Sequence, residues 1–274
     1  VTEPFHGITR RKTIEYVRLL SRYLGNPIQF STKMYITRRE ALEVRQADPG
    51  ISPLVTIITL KYADKLEPYA PKPDKRFEAI SNMREAGLKP FLFLRPMIPG
   101  LIEDEYAGIL DKAAEYGAVG VVAGSLRITE KILERLSKLG IDTGEILKRA
   151  GRKPRGKAQI PVDTSDLKSE VMRYAKKRKL LFFPEACMAN MYSHGLACWK
   201  MIKQGLVGGE LAKPPYPTRH EIAGLAEELR VKLEDASISG FEARVWVSER
   251  SGKEVLLSEI IHSRYRVCTR ISYY

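Results

Sequence analysis

Two stretches, Pro53-Leu54-Val55-Thr56-Ile57-Ile58-Thr59 and Lys89-Pro90-Phe91-Leu92-Phe93-Leu94-Arg95, decide how this sequence is read. Both are almost wholly apolar and rich in β-branched or aromatic residues, and both are short. A strand with one wet face alternates polar and apolar residues, whereas a strand covered on both faces does not. Between the two, residues 74–86 form a helical pattern that stops at Gly87. Buried strand, helix, buried strand is the repeating unit of a parallel sheet, open or closed into a barrel.

The pattern extends in both directions. Further strand-like runs lie at 27–32, 118–123 and 180–183, and helical patterns at 9–24, 37–46, 103–116, 129–139 and 165–177. Gly25, Gly87, Gly117 and Gly140 each follow a helix, where a left-handed residue ends it. Thr37, Asp74 and Thr129 stand at N-cap positions. Residues 148–161 read as a basic insertion, and Gly208, Gly209, Pro214, Pro215 and Pro217 mark a break over 205–217. Beyond it come a helix at 219–234, strand runs at 241–248 and 255–261 joined by a turn at Gly252, and a third run at 265–273. The expected organisation is an α/β domain over 1–204 and a linker, helix and small antiparallel β appendage over 205–274.

Composition excludes several classes. The chain has 274 residues, 44% hydrophobic and 29% charged, which rules out a wholly disordered polymer. No run approaches the roughly 18 apolar residues of a membrane span, and the first residues show no signal-peptide pattern. Cys187, Cys198 and Cys268 are too few and too odd in number for a disulfide framework, which points to the reducing cytoplasm. The sequence starts at Val1 without an initiator Met, and a segment upstream is expected. Residues 148–180 carry twelve basic side chains against three acids, nine of the thirteen net positive charges. Arg152, Lys153, Arg155, Lys157, Lys176, Lys177, Arg178 and Lys179 are therefore candidate nucleic-acid contacts, or else a solvated basic surface.

In parallel α/β folds, chemistry sits at the C-terminal ends of the strands. The first strand ends in Ser31-Thr32-Lys33, two hydroxyls and an ammonium that suit a carboxylate or phosphate, or simply cap a helix beside a surface lysine. Thr56 lies inside the next apolar run. Then come Leu66-Glu67-Pro68 with Ala70-Pro71 and Arg76, and finally Arg95-Pro96-Met97-Ile98-Pro99-Gly100, a tight exit where backbone can approach a ligand.

Taken in order, these segments resemble the radical S-adenosylmethionine superfamily, in its spore photoproduct lyase-like (DNA repair photolyase) branch. Thr2-Glu3-Pro4-Phe5-His6 resembles the segment that follows that branch's second strand. The resemblance covers about residues 1–130. It implies a partial (β/α)6 TIM-like barrel, S-adenosylmethionine as cofactor, and a [4Fe–4S] cluster on a Cys-x3-Cys-x2-Cys loop. It further implies a one-electron reductant such as ferredoxin or flavodoxin, and a 5′-deoxyadenosyl radical that takes hydrogen from substrate. By the same resemblance, Lys33 aided by Ser31 pairs with the methionyl carboxylate, Thr56 lies near it, and Pro99 and Gly100 lie against the adenosine. The departure is that no cysteine precedes Cys187, so the cluster ligands are expected upstream of residue 1 and this chain alone is expected not to assemble the cluster.

Cys187, Met191, His194 and Cys198 recur at spacings that put them on one face of a single helix. Cys187, in its first turn, reads as a radical-quenching hydrogen donor, a metal ligand or a soft core residue. Cys187 and Cys198 on one straight helix are about 16 Å apart and cannot share an ion, unless the helix breaks near Gly195. The C-terminal run interleaves arginines with Trp246, Tyr265, Tyr273 and Tyr274, as a base-stacking ribbon or an amphipathic cap sheet would. Three functions follow: a radical S-adenosylmethionine enzyme directed at nucleic acid, one acting on a protein or small molecule, or a non-catalytic nucleic-acid-binding α/β protein.

Overall fold

The computed structural model describes residues 3–206 and 216–274. Val1, Thr2 and, from the 205–217 break, Gly208, Gly209, Pro214 and Pro215 lie outside the described residues. The chain divides into two compact units, Val1–His194 and Gly195–Tyr274.

The first unit runs α1 (Thr9–Tyr23), β1 (Gln29–Thr32), α2 (Arg38–Ala47), β2 (Ser52–Thr56), α3 (Ala63–Leu66), α4 (Pro73–Glu85), β3 (Phe91–Met97), α5 (Tyr106–Glu115), β4 (Gly120–Ser125), β5 (Arg127–Ile128), α6 (Glu130–Lys138), α7 (Thr143–Ala150), β6 (Ile160–Pro161), α8 (Ser165–Lys177), β7 (Leu181–Phe183) and α9 (Ala186–Ser193). Five strands pair in the order β1-β2-β3-β4-β7, every neighbour parallel. The α/β class and each of the five predicted strands stand. The edge strands β1 and β7 do not pair with each other among the described residues, so the sheet is open.

Both faces are covered, which explains the unbroken apolar runs. On one face Val55, Leu92, Leu94, Val121 and Ala123 join a core with Val44, Phe77, Ile80, Leu110 and Val171 from the surrounding helices. On the other, Phe91 and Phe183 stack edge-on against each other and both meet Tyr192 of α9. All five residues of β2 are buried. Thr37 caps α2 through a full capping box with Glu40, and Thr129 caps α6 by accepting from the Ile132 N–H. Asp74 is not a cap: α4 starts one residue earlier, at Pro73, after Lys72. Proline fits the first turn, where its missing N–H has no partner to lose.

Helix α9 crosses from the end of β7 to the beginning of β1. Asn190 Nδ2 donates to the Pro27 carbonyl at 3.0 Å, Gln29 Nε2 donates to the Ala186 carbonyl at 2.8 Å, and His194 Nε2 accepts from the Ile28 N–H at 3.0 Å. The helix ends at Ser193, and Gly195 takes a left-handed φ of 69°. The single-helix face through Cys187, Met191, His194 and Cys198 is therefore broken, because only glycine adopts that turn without strain. His194 is a backbone anchor, and Cys198 is the extended residue before the next helix, in the other unit.

A second apolar cluster lies beyond the C-terminal ends of the strands. Ile58 and Ile98 from the strand exits pack with Leu126, Ile128, Leu136, Ile146, Ile160 and Val162. The segment read as a plain insertion is thus part of a small cap: α7, with Asp142 as N-cap and Gly151 left-handed at its end, then a loop, then β6 pairing antiparallel with β5.

The second unit contains α10 (Trp199–Lys203), α11 (Arg219–Glu228), β8 (Leu233–Ser239), β9 (Glu242–Val247), α12 (Lys253–Tyr265) and β10 (Cys268–Tyr273). The predicted helix at 219–234 stops at Glu228, and its last residues already belong to β8. Residues 255–261 form a helix and not a strand. Glu254, Leu257, Ile261 and Tyr265 are the buried positions, a spacing of three and four that only a helix turns to one side. The consequence is topological. The antiparallel partner of β9 is β8, a strand the sequence reading did not include, and β10 returns through the helical crossover and pairs parallel with β9. The appendage is a mixed sheet, because a parallel pair needs a long crossover and α12 supplies it.

Candidate functional site

The expected ligand-binding end of the sheet holds a cleft of about 480 Å³. Its wall takes Lys33 after β1, Ile58 after β2, Arg95 and Pro96 of β3, Ser125 at the end of β4, Arg127 of β5 and Arg135 of α6. Leu66, Glu67, Ile98, Leu126, Ile132 and Leu136 complete most of the rest, so an apolar floor carries a ring of cations with one acid.

Lys33 is held from two sides. Glu3 reaches across to accept from the Lys33 N–H at 3.0 Å and from the Thr32 hydroxyl, which fixes the strand exit. The Lys33 ammonium lies 3.0 Å from Glu67 Oε1, with its side chain 42% exposed. The other Glu67 oxygen accepts from the buried Arg76 guanidinium. Arg76 also donates to the Thr56 carbonyl at 3.0 Å and to the Pro71 carbonyl at 2.7 Å. The three prolines of the 66–76 loop and the first turn of α4 therefore hang from one buried cation. A buried ion pair survives only with such added hydrogen bonds.

Glu105 makes a parallel arrangement one loop away. Its buried carboxylate accepts from the Thr59 hydroxyl at 2.9 Å and from the Leu60 N–H. That ties the exit of β2 to the start of α5. Glu3, Glu67, Arg76 and Glu105 are the residues that shape this end. Glu67, Arg76 and Glu3 stand in segments the sequence reading singled out, the Glu67-Pro68 and Arg76 motif and Thr2-Glu3-Pro4-Phe5-His6; Glu105 carried no signal, because its partners are a backbone amide and a hydroxyl distant in sequence.

The predicted site residues do not all converge. Lys33 lines the cleft. Ser31 is exposed at the β1 exit, and Thr56 is buried at the last position of β2. Pro99 is buried, and Gly100 takes φ 81° in the turn after β3, its N–H donating to Glu103 at 2.9 Å. None of these four lines the cleft. Cys187 is exposed in the first turn of α9, its thiol 3.4 Å from Glu185 Oε2, and is not in the cleft wall either.

The basic segment splits in two. Arg152, Lys153 and Arg155 line a depression of about 490 Å³ in the loop before β6, with Lys157 exposed in the same loop. Gln159 lines both this depression and the strand-end cleft. Lys176, Lys177, Arg178 and Lys179 instead lie between α8 and the start of β7, at the N-terminal end of the sheet. Arg178 is already committed: it donates to Asp111 at 2.5 Å and holds that carboxyl below the usual range, helped by the Tyr174 hydroxyl. Arg149, at the end of α7 before that loop, pairs through both terminal nitrogens with Asp166 at 2.7 and 2.8 Å. That pairing lowers the Asp166 carboxyl to about 2.

Among the described residues no three His, Cys, Asp or Glu side chains are grouped to hold a metal ion, and no helix is long and apolar enough to cross a membrane.

No family model matches the chain. An uncharacterized protein of Methanocaldococcus jannaschii is 42% identical over 41 residues, 15% of this chain and 16% of that protein. Among solved structures, spore photoproduct lyase complexed with dinucleoside spore photoproduct aligns with 62% of this chain and 55% of its own, at 17% identity and a TM-score of 0.48. A double variant of spore photoproduct lyase with bound AdoMet and dinucleoside spore photoproduct aligns with 64% of this chain and 54% of its own, at 17% identity and a TM-score of 0.46. The chain thus spans about half the length of the solved proteins it is similar to, and a sixth of the curated one.

Proposed function

We propose that this chain is the cofactor- and substrate-binding part of a radical S-adenosylmethionine enzyme of the spore photoproduct lyase-like kind, with nucleic acid as its substrate. The observation that carries the reading is the Lys33–Glu67 pair on the wall of the strand-end cleft. The methionyl end of S-adenosylmethionine bears a carboxylate and an ammonium side by side. A half-exposed lysine 3.0 Å from a fixed glutamate offers the complementary pair of charges, so the residues fit the cofactor. Ser31 neighbours Lys33 at the same exit. Thr56 supports the site through its carbonyl, which anchors Arg76 and hence Glu67.

S-adenosylmethionine supplies, once its sulfonium is reduced at an iron–sulfur cluster, a radical able to take hydrogen from an unactivated carbon. The cluster itself does not fit the residues described. It requires three grouped thiolates, while Cys187 lies alone in the first unit and Cys198 and Cys268 belong to the second.

The test is binding, measured by calorimetry on the full chain with S-adenosylmethionine. Lys33→Ala is expected to weaken affinity at least tenfold, about 1.4 kcal/mol. Ser31→Ala is expected to cost less. Wild-type affinity in Lys33→Ala, or no binding by the parent chain, sinks the reading.

A further inference from the structure

Three guanidiniums face the strand-end cleft without an acid to answer them. Arg95 ends the regular part of β3, Arg127 lies on β5 and Arg135 on α6, and all three are exposed and line the cleft. The acid in the wall, Glu67, is already divided between Arg76 and Lys33. Among the described residues, Arg95, Arg127 and Arg135 have neither an ion-pair nor a hydrogen-bond partner, whereas Arg10, Arg149, Arg178 and Arg219 each have a carboxylate.

The position of Arg95 is built into the sheet. A Cβ on Gly124 would stand 2.5 Å from Arg95 Cδ and 2.6 Å from Cγ. Gly124 does not have a left-handed φ, so its backbone does not require glycine. The missing side chain makes room for the arginine stem to lie across β4 and carry its head to the cleft. Arg127 is fixed in another way: β5 pairs with β6, Leu126 accepts from the Val162 N–H at 2.9 Å, and the Thr164 hydroxyl donates to Ser125 at 2.8 Å. The floor between them is apolar, and a charge-assisted hydrogen bond gains strength where the local dielectric is low.

We propose that Arg95, Arg127 and Arg135 form a phosphate-binding site for a phosphate ester, and that the chain leading away from that phosphate passes Gln159 to Arg152, Lys153 and Arg155. Forked guanidiniums suit the oxygens of a phosphate better than a lone carboxylate or a thiol. Gln159 borders both depressions, so a strand with successive phosphates would find cations on either side of this residue, which a single small anion does not need. The site neighbours the cofactor site proposed above and names the substrate group for the same cleft. It rests on that reading only for what is done to the ligand, not for its binding.

The experiment uses the full chain without S-adenosylmethionine, so its outcome is independent of the Lys33 test. Fluorescence anisotropy follows a labelled 12-nucleotide oligothymidylate over a salt series, with thymidine 5′-monophosphate and inorganic phosphate as competitors. Arg127→Ala/Arg135→Ala is expected to weaken oligonucleotide binding at least tenfold. It should also flatten the logarithmic salt slope by about 1.4, the loss of two phosphate contacts on a single strand. Gly124→Val, which evicts Arg95 with no change of charge, is expected to weaken it several-fold; Arg95→Gln repeats that test if the valine variant does not fold. Lys176→Glu/Lys177→Glu is expected to stay within twofold. Oligonucleotide binding far above that of the mononucleotide assigns the phosphate to a nucleic-acid strand, and equal competition by the mononucleotide assigns the same site to free nucleotide. Unchanged binding in Arg127→Ala/Arg135→Ala, or an equal loss in Lys176→Glu/Lys177→Glu, overturns the proposal.

Discussion

Both ends of the parallel sheet are basic, yet their charges do different work. Around the N-terminal ends several cations are fasteners, while Lys176, Lys177 and Lys179 have no ion pair among the described residues. Lys89 reaches the Tyr192 and Ser193 carbonyls at 3.4 and 3.5 Å and stands 5.0 Å over the Tyr192 ring. Arg178 holds Asp111. At the C-terminal ends the first layer of charge is fastened too, with Glu67 locked between Arg76 and Lys33, but Arg95, Arg127 and Arg135 stand outside it unmatched. A count of lysines and arginines does not distinguish the two ends. What distinguishes them is that the unmatched guanidiniums at the C-terminal end line one cleft.

The sharpest way to break this contrast is to remove the acid that fastens the C-terminal end. Glu67→Ala leaves Arg76 buried without a counter-charge and is expected to cost about 3–5 kcal/mol in urea denaturation of the first unit. A loss under about 1 kcal/mol would show that the 66–76 loop stands without the pair. Next in size is Glu105→Ala. It leaves the Thr59 hydroxyl and the Leu60 amide without an acceptor, for about 2–3 kcal/mol by the same measurement.

The two ends are compared directly by a matched pair. Lys89→Met removes a donor from two carbonyls and is expected to cost about 1 kcal/mol. Arg135→Met removes an unpartnered cation and should change thermal stability by less than about 0.5 kcal/mol. Equal losses would erase the distinction. The smallest effect concerns pH. Asp166 is held near 2 in the folded chain by the Arg149 guanidinium, below its ordinary value of 3.8. A depressed carboxyl stabilises above its unfolded pKa and loses that contribution as pH falls through the folded one. The Arg149–Asp166 clamp should therefore hold from neutral pH to about pH 3 and release near 2. The Asp166 side chain is about half exposed to screening solvent, so its release costs at most about 0.5 kcal/mol. A carboxyl-carbon NMR titration of Asp166 with its midpoint near 4 would show the clamp absent in solution.

How much of this was legible in the sequence depended on how local the signal was. The five parallel strands could be read because each is a short apolar or β-rich run next to a helix, and β1, β3 and β4 each follow a glycine at a left-handed turn, Gly25, Gly87 and Gly117. The stretch at 255–261 misled because Val255, Leu256, Leu257, Ile260 and Ile261 look like a strand when read alone. The burial of Glu254 and Tyr265 at its margins is what shows the helical period. At the cleft, Lys33 and the Glu67 motif were visible as conspicuous residues at strand ends. Arg95, Arg127 and Arg135 were not, since each sits singly on its own element and only the sheet order brings them to one wall. The basic run 148–179 gave the opposite error. It is continuous along the chain, but α8 carries its second half to the far end of the sheet.

The crossing of α9 has a consequence for how the first unit opens. Its bonds join positions 157 to 166 residues apart, so neither edge of the sheet can loosen without cutting the link to the other. The Ile28 amide, bonded to His194, is then a reporter for the whole unit. Its hydrogen exchange should proceed only through opening of the entire sheet, at the rate set by global stability, although it sits one residue outside the first strand.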